Sequence, residues 1–138
     1  MILLDTNVVS ELMRPAPDPK VRTWLDGLGA TPVSTNAVTV AEVVFGLSRL
    51  PDGKHRSDLI EGFDALILGP PALPVLRLDE QTGRLAGEFR ALRESLGLGP
   101  SPSDMMIAAI AAANGASLAT RNVDDFSGLP ISVINPWG

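Results

Sequence analysis

Met1-Ile2-Leu3-Leu4-Asp5-Thr6-Asn7 opens the chain with a short apolar run that stops at a polar triplet. Three consecutive apolar residues fit a buried strand, and the stretch that follows, through Met13, fits a brief helix halted by the prolines at 15, 17 and 19. The same alternation continues outward. Asp18 is placed to cap a helix with Pro19 at its first position, and Val21, Trp24, Leu25 and Leu28 recur at helical spacing until about Gly29. Residues 32–35 form a strand candidate, and Asn36 caps a helix to about Leu50, where Pro51-Asp52-Gly53 breaks it. A helix over 56–68, a strand over 74–78 and a long helix capped by Asp79 and running toward Leu96 come next. After a loop from Gly97 to Pro102, Ser103 is read as the cap of a helix that ends at Asn114, and strands over 117–120 and 131–134 complete the order, with a loop at 121–128 between them. Strands that alternate with helices require right-handed crossovers and a mostly parallel sheet covered on both faces, so the fold class is α/β.

A length of 138 residues predicts one domain, 1–138, with a core of its own. With 45% hydrophobic and 20% charged residues, a disordered or fibrous chain is excluded. The absence of cysteine removes disulfides, thiolate metal sites and thiol redox chemistry. The amino terminus lacks the basic start and long apolar core of a signal peptide, and no uncharged run is a membrane span, so a cytoplasmic protein without a membrane partner is expected. A net charge of −5 speaks against unaided nucleic-acid binding, unless the acidic residues gather cations that face the phosphate.

Three acids stand alone in apolar surroundings. Asp5 is the only charged side chain before Glu11, Glu42 the only one from Thr31 to Ser48, and Asp104 the only one between Glu94 and Arg121. Local explanations exist for each: Asp5 as a turn residue bonding Asn7, Asp104 as an acid favoured at a helix start, and Glu42, which shares a face with Val38 and Phe45, neutralised by Arg49. In a parallel α/β fold, however, helix starts and strand ends meet at the carboxyl edge of the sheet, where ligands collect. Asp5, Glu42, Asp104 and the Asp124-Asp125 pair all project there. Clustered carboxylates resist shared ionisation unless a cation joins them, and oxygen donors suit Mg²⁺ or Mn²⁺. With no cysteine and His55 as the lone histidine, the chain is a poor zinc protein.

These motifs resemble the PIN-domain ribonucleases, specifically the VapC and FitB-like toxins of type II toxin–antitoxin pairs. Residues 1–11 resemble the family's start, Thr39-Val40-Ala41-Glu42 its second acidic motif, Ser103-Asp104 with Ile107-Ala108-Ala109 its third, residues 118–126 its fourth, and Asn135-Pro136-Trp137 the tail of the FitB-like branch. The resemblance implies a three-layer α/β/α sandwich and an endoribonuclease that uses Mg²⁺, or Mn²⁺ in its place. It makes Asp5 and Asp104 principal metal ligands, with Glu42 completing the acidic centre and Asp125 as the fourth carboxylate. Asn122 and Thr6 would lend polar support, with Asn122 and Asp124 as alternatives at the fourth position. It further implies an RNA substrate, a homodimer and a VapB-like antitoxin.

The chain offers no Ser–His pair, nucleophilic cysteine or glycine-rich phosphate loop, which leaves phosphodiester hydrolysis by metal-activated water. An aspartate-nucleophile phosphatase would carry a second aspartate where this chain has Asn7. A PIN-like module that binds RNA or a partner without efficient catalysis is the non-enzymatic alternative. Arg14, Lys20, Arg22 and Arg121 are candidate phosphate contacts, His55 an exposed turn residue, Trp24 a core anchor, Trp137 a tail packing residue, and Met105-Met106 packing or dimer surface.

Overall fold

The computed structural model describes residues 1–99 and 101–138. Five parallel strands, β1 (Ile2–Leu4), β2 (Val33–Asn36), β3 (Val75–Leu76), β4 (Ser117–Ala119) and β5 (Val133–Ile134), lie side by side in the order β3-β2-β1-β4-β5. Helices α1 (Thr6–Leu12), α2 (Pro19–Asp26), α3 (Ala37–Arg49) and α4 (Lys54–Leu68) belong to the outward run of the chain, and α5 (Glu80–Ser95) and α6 (Pro102–Ala113) to its return.

Alternation along the central strands divides the core between two layers. Ile2 and Leu4 join Val8, Val9, Val21, Val43 and Phe63 from α1 to α4. Leu3 points the other way, into Ala86, Phe89, Met105, Ile107 and Ile110 of α5 and α6. Leu118 and Ala119 of β4 split in the same manner. This is the α/β/α sandwich that the period-two geometry of a doubly covered sheet demands. The segment of α6 from Ile107 to Ala111 is buried throughout, and its alanines let α5 pack close.

Several boundaries differ from the sequence reading. Ser101, rather than Ser103, caps α6: its hydroxyl accepts from the backbone N–H of Asp104, and Pro102, with φ already suited to a helix, takes the first position. Asp104 therefore sits in the first turn, and the expected Gly97–Pro102 loop ends earlier; Pro100 within it lies outside the described residues. α2 stops at Asp26 because Gly27 already forms its cap, and α4 begins at Lys54, directly after Gly53 at φ 151°. The 74–78 strand shrinks to Val75–Leu76, an edge strand that pairs only with Thr35 and Asn36. The last two strands are 117–119 and 133–134, and Val123–Phe126 is a 3₁₀ turn rather than open loop. Trp24 is half-buried against the α1–α4 layer rather than a central anchor.

Candidate active site

The chain runs outward from β1 to β3 on one side of the sheet and returns to β4 on the other, so β1 and β4 flank the topological switch point. A crevice at the carboxyl ends of such strands is the usual ligand site of an open parallel sheet. Asp5 follows β1 and Thr120 follows β4, and they meet there: the backbone N–H of Asp5 donates to the Ala119 carbonyl at 2.9 Å, and the Thr120 hydroxyl donates to Asp5 Oδ2 at 2.7 Å.

Asp5 is buried at 4% exposure. Its Oδ1 accepts from the Thr6 backbone N–H at 2.8 Å, which caps α1, and its Oδ2 also accepts from Asn7 Nδ2 at 3.3 Å. The local turn role is thus real, and it holds the carboxylate at the switch point. Thr120 Oγ1 is saturated, accepting from Asn7 Nδ2 at 3.2 Å and the Asn122 N–H at 3.1 Å while it donates to Asp5. Asn7 Oδ1 in turn accepts from the Arg121 N–H at 3.1 Å. Burial raises the Asp5 carboxyl above its ordinary value of 3.8 against the lowering effect of these donors, and the charge of Glu42 adds to the rise.

Glu42 is held by a second chain of donors. Asn36 Nδ2 donates to Thr39 Oγ1 at 3.1 Å, Thr39 and Thr6 share a hydrogen bond at 3.2 Å, and Thr6 Oγ1 donates to Glu42 Oε1 at 2.7 Å. Because the single Thr6 proton is committed to Glu42, Thr39 supplies the proton between the two threonines. Arg49 does not neutralise Glu42: its guanidinium lies 5.2 Å from the centre of the Phe45 ring, which is 63% exposed rather than part of a buried face.

Asp104 is half-buried in the first turn of α6. Burial first, then the charges of Asp5, Asp125 and Glu42, push its carboxyl from 3.8 up to about 6. All four carboxylates therefore occupy one electrostatic neighbourhood. Asp124 is not among the charges acting on Asp104, which distinguishes it from its neighbour Asp125; both are exposed. Asn122 contributes its backbone N–H, and its side chain does not cap the 3₁₀ turn. No ion pair of the described residues includes Asp5, Glu42, Asp104 or Asp125.

An all-oxygen donor set with uncompensated negative charge is what Mg²⁺ or Mn²⁺ selects. Among the described residues, no three acidic or histidine side chains are close enough to share one ion. The site is an open edge. A groove of about 510 Å³ between the end of α1 and α4, lined by Leu12, Arg14, Lys54, Glu61 and Leu66, lies apart from these acids.

Sequence reasoning overlooked Thr120 and Thr39 as site residues. Both are β-branched, so they read as strand or core positions. Only the pairing of β1 with β4 turns the Thr120 hydroxyl toward Asp5, and only the packing of α1 on α3 turns the Thr39 hydroxyl toward Thr6, the donor to Glu42.

The family model described as PIN domain matches residues 2–130. The chain belongs to the PIN-domain family. This PIN domain is 38% identical over 137 residues to the plasmid stability protein StbB of Pseudomonas syringae pv. tomato, an alignment that covers 99% of both chains. It is 37% identical to toxin FitB of Neisseria gonorrhoeae, again over 99% of both. With VapC ribonuclease Y4jK of Sinorhizobium fredii it shares 36% identity over 99% of this chain and 98% of the relative. The crystal structure of FitAcB from Neisseria gonorrhoeae matches at a TM-score of 0.86 and 37% identity, covering 99% of both chains. No helix among the described residues is long and apolar enough to cross a membrane.

Proposed function

We propose that this PIN domain is a divalent-metal-dependent endoribonuclease that acts as the toxin of a toxin–antitoxin pair. The observation that carries the reading is the set of carboxylates at the switch point: Asp5, Glu42, Asp104 and Asp125 come from four segments, none is ion-paired among the described residues, the charges of Asp5, Asp125 and Glu42 all act on Asp104, and that of Glu42 acts on Asp5. The names of the relatives, a toxin and a VapC ribonuclease, support the same assignment.

Asp5, Asp104, Glu42 and Asp125 would hold Mg²⁺, or Mn²⁺ as a substitute. When bound, the cation supplies Lewis-acid polarisation of the phosphodiester and a water made nucleophilic near neutral pH. The protein's own share is positional. Thr120 and the Thr6 amide fix the Asp5 carboxylate, and the Asn36–Thr39–Thr6 chain holds Glu42 Oε1 as an acceptor. Arg121, whose backbone is tied to Asn7, rests its guanidinium 4.9 Å from the centre of the Trp137 ring. Stacked on Trp137, it is a cation available to meet a phosphate or a base. The reading includes a VapB- or FitA-like antitoxin and a homodimer, toward which the exposed Val44 and Phe45 of α3 offer one apolar surface.

Incubation of antitoxin-free protein with a mixed RNA pool in Mg²⁺ or in chelator, beside Asp5→Asn and Asp104→Asn, tests the assignment. Cleavage is expected only for the wild type in Mg²⁺. Cleavage that persists in chelator or in both variants overturns it. RNA retention without cleavage supports a binding module instead.

A further inference from the structure

Arg93, in the last turn of α5, is 4% exposed, and no ion pair of the described residues includes it. A buried guanidinium without a counter-charge is strongly unfavourable unless oxygen acceptors surround it. The acceptors here are mostly backbone carbonyls. Nη1 donates to the Ser127 carbonyl at 2.7 Å, to Ser127 Oγ at 3.1 Å and to the Asp124 carbonyl at 3.3 Å, while Nη2 donates to the Gly99 carbonyl at 3.0 Å.

These acceptors belong to two segments. Asp124 and Ser127 bracket Asp125 on the 3₁₀ turn, and Gly99 lies two residues before Ser101, whose hydroxyl caps the turn of α6 that carries Asp104. None of the acceptors is in α5, so Arg93 is not capping its own helix. Nor does its charge act on Asp104, where only carboxylates, burial and Ser101 set the carboxyl's value. Its effect is geometric: a planar fork joins the segment holding Asp125 to the approach to Asp104, a span that a single ammonium cannot reproduce.

We infer that Arg93 is a positioning residue that sets the separation of Asp125 from Asp104 and thereby the affinity of the site for a divalent cation. This rests on the reading that those carboxylates share a cation. The test compares Mn²⁺ binding by calorimetry, thermal unfolding, and amide exchange over residues 122–128 in wild type, Arg93→Lys, Asp125→Asn and the double variant. The expected result is a folded Arg93→Lys protein with faster exchange at the Asp125 turn and Mn²⁺ affinity lowered about 10- to 100-fold, as for lost outer-shell partners of metal ligands. In the Asp125→Asn background the same change should alter affinity by less than about two-fold, the scatter within which independent sites add. Affinity unchanged by Arg93→Lys, or losses that simply multiply in the double variant, overturn the inference while leaving the metal site intact. A wild type that binds no Mn²⁺ overturns the metal reading and this inference together. If Arg93→Lys fails to fold, Ser127→Ala, at an exposed position, removes two hydrogen bonds: the one that Oγ accepts from Arg93 Nη1 and the one it donates to the Asp124 carbonyl. It should lower affinity about three-fold or more, in line with the lost bonds, and only where Asp125 is present; an unchanged affinity again overturns the inference.

Discussion

Replacing Asp104 with asparagine is expected to stabilise the metal-free protein even though it removes a residue assigned to the active site. Burial and the charges of Asp5, Asp125 and Glu42 push this carboxyl from 3.8 to about 6. At about 1.4 kcal/mol per pH unit, a fully buried group so displaced carries roughly 3 kcal/mol of unfavourable energy when ionised. Asp104 is half-buried, and solvent screening reduces the figure to roughly 1–2 kcal/mol. The positive end of α6 favours the anion by about 0.3–1 kcal/mol, in the opposite direction. A net gain of about 1 kcal/mol remains, equivalent to a Tm increase of about 3–5 °C for a chain of this size. Because the folded value lies above the unfolded one, the stabilising protonation is fully present below 3.8 and is lost as pH rises to about 6. The advantage of the variant should therefore be complete near pH 7.5 and vanish toward pH 4. A divalent cation at about one hundred times its Kd should reverse the order, stabilising the wild type by about 2.7 kcal/mol and the variant far less. Thermal unfolding followed by tryptophan fluorescence, in chelator and in Mn²⁺ between pH 4 and 7.5, measures both effects. A variant that melts below the wild type in chelator at pH 7.5, or that gains as much from Mn²⁺, would refute the reasoning.

Thr120→Val deletes the donor to Asp5 Oδ2 and the acceptor for Asn7 and Asn122; it should destabilise the fold by about 1–3 kcal/mol and raise the Asp5 carboxyl further, visible by carboxyl NMR titration. Thr6→Val frees Glu42 from its donor and should weaken Mn²⁺ binding about ten-fold, read by calorimetry. Gly62→Ala places a methyl group onto the Met13 carbonyl where α4 crosses the end of α1. It should lower stability by about 1–3 kcal/mol in chemical denaturation yet leave Mn²⁺ affinity unchanged, since Met13 closes α1 at the end opposite Asp5.

The strand–helix alternation and the lone acids were legible because each depends on neighbours close in the chain. Ile2-Leu3-Leu4 before Asp5 needs only the rule that an all-apolar run fits a strand covered on both faces. Element ends were harder to read. Ser101 and Ser103 are equally good caps by composition, and Pro102 at the first helical position decides between them. Residues 74–78 alternate well enough for a longer strand, but at the sheet edge only two of them find partners.

The order of burial among the acids also escaped local reasoning. Asp5, Glu42 and Asp104 look alike in sequence, yet Asp5 is sealed between β1 and β4 while the others are half-exposed and Asp125 is exposed. Arg93 reads as an ordinary helix residue until the return of the chain brings Gly99 and Ser127 around it.

By itself, the sequence determined the α/β class, the acidic residue types and their positions at strand ends and helix starts, since those follow from short-range periodicity and capping. Only the tertiary structure decided that β4 lies beside β1, that Thr120 and Thr6 hold the carboxylates, and that Arg93 spans the two acid-bearing segments. The reason is physical: the Thr120–Asp5 bond, the bond from the Thr6 hydroxyl to Glu42 and those from Arg93 to Asp124 and Ser127 each join residues 31 or more apart in the chain, and their energy appears only when packing has closed the intervening loops.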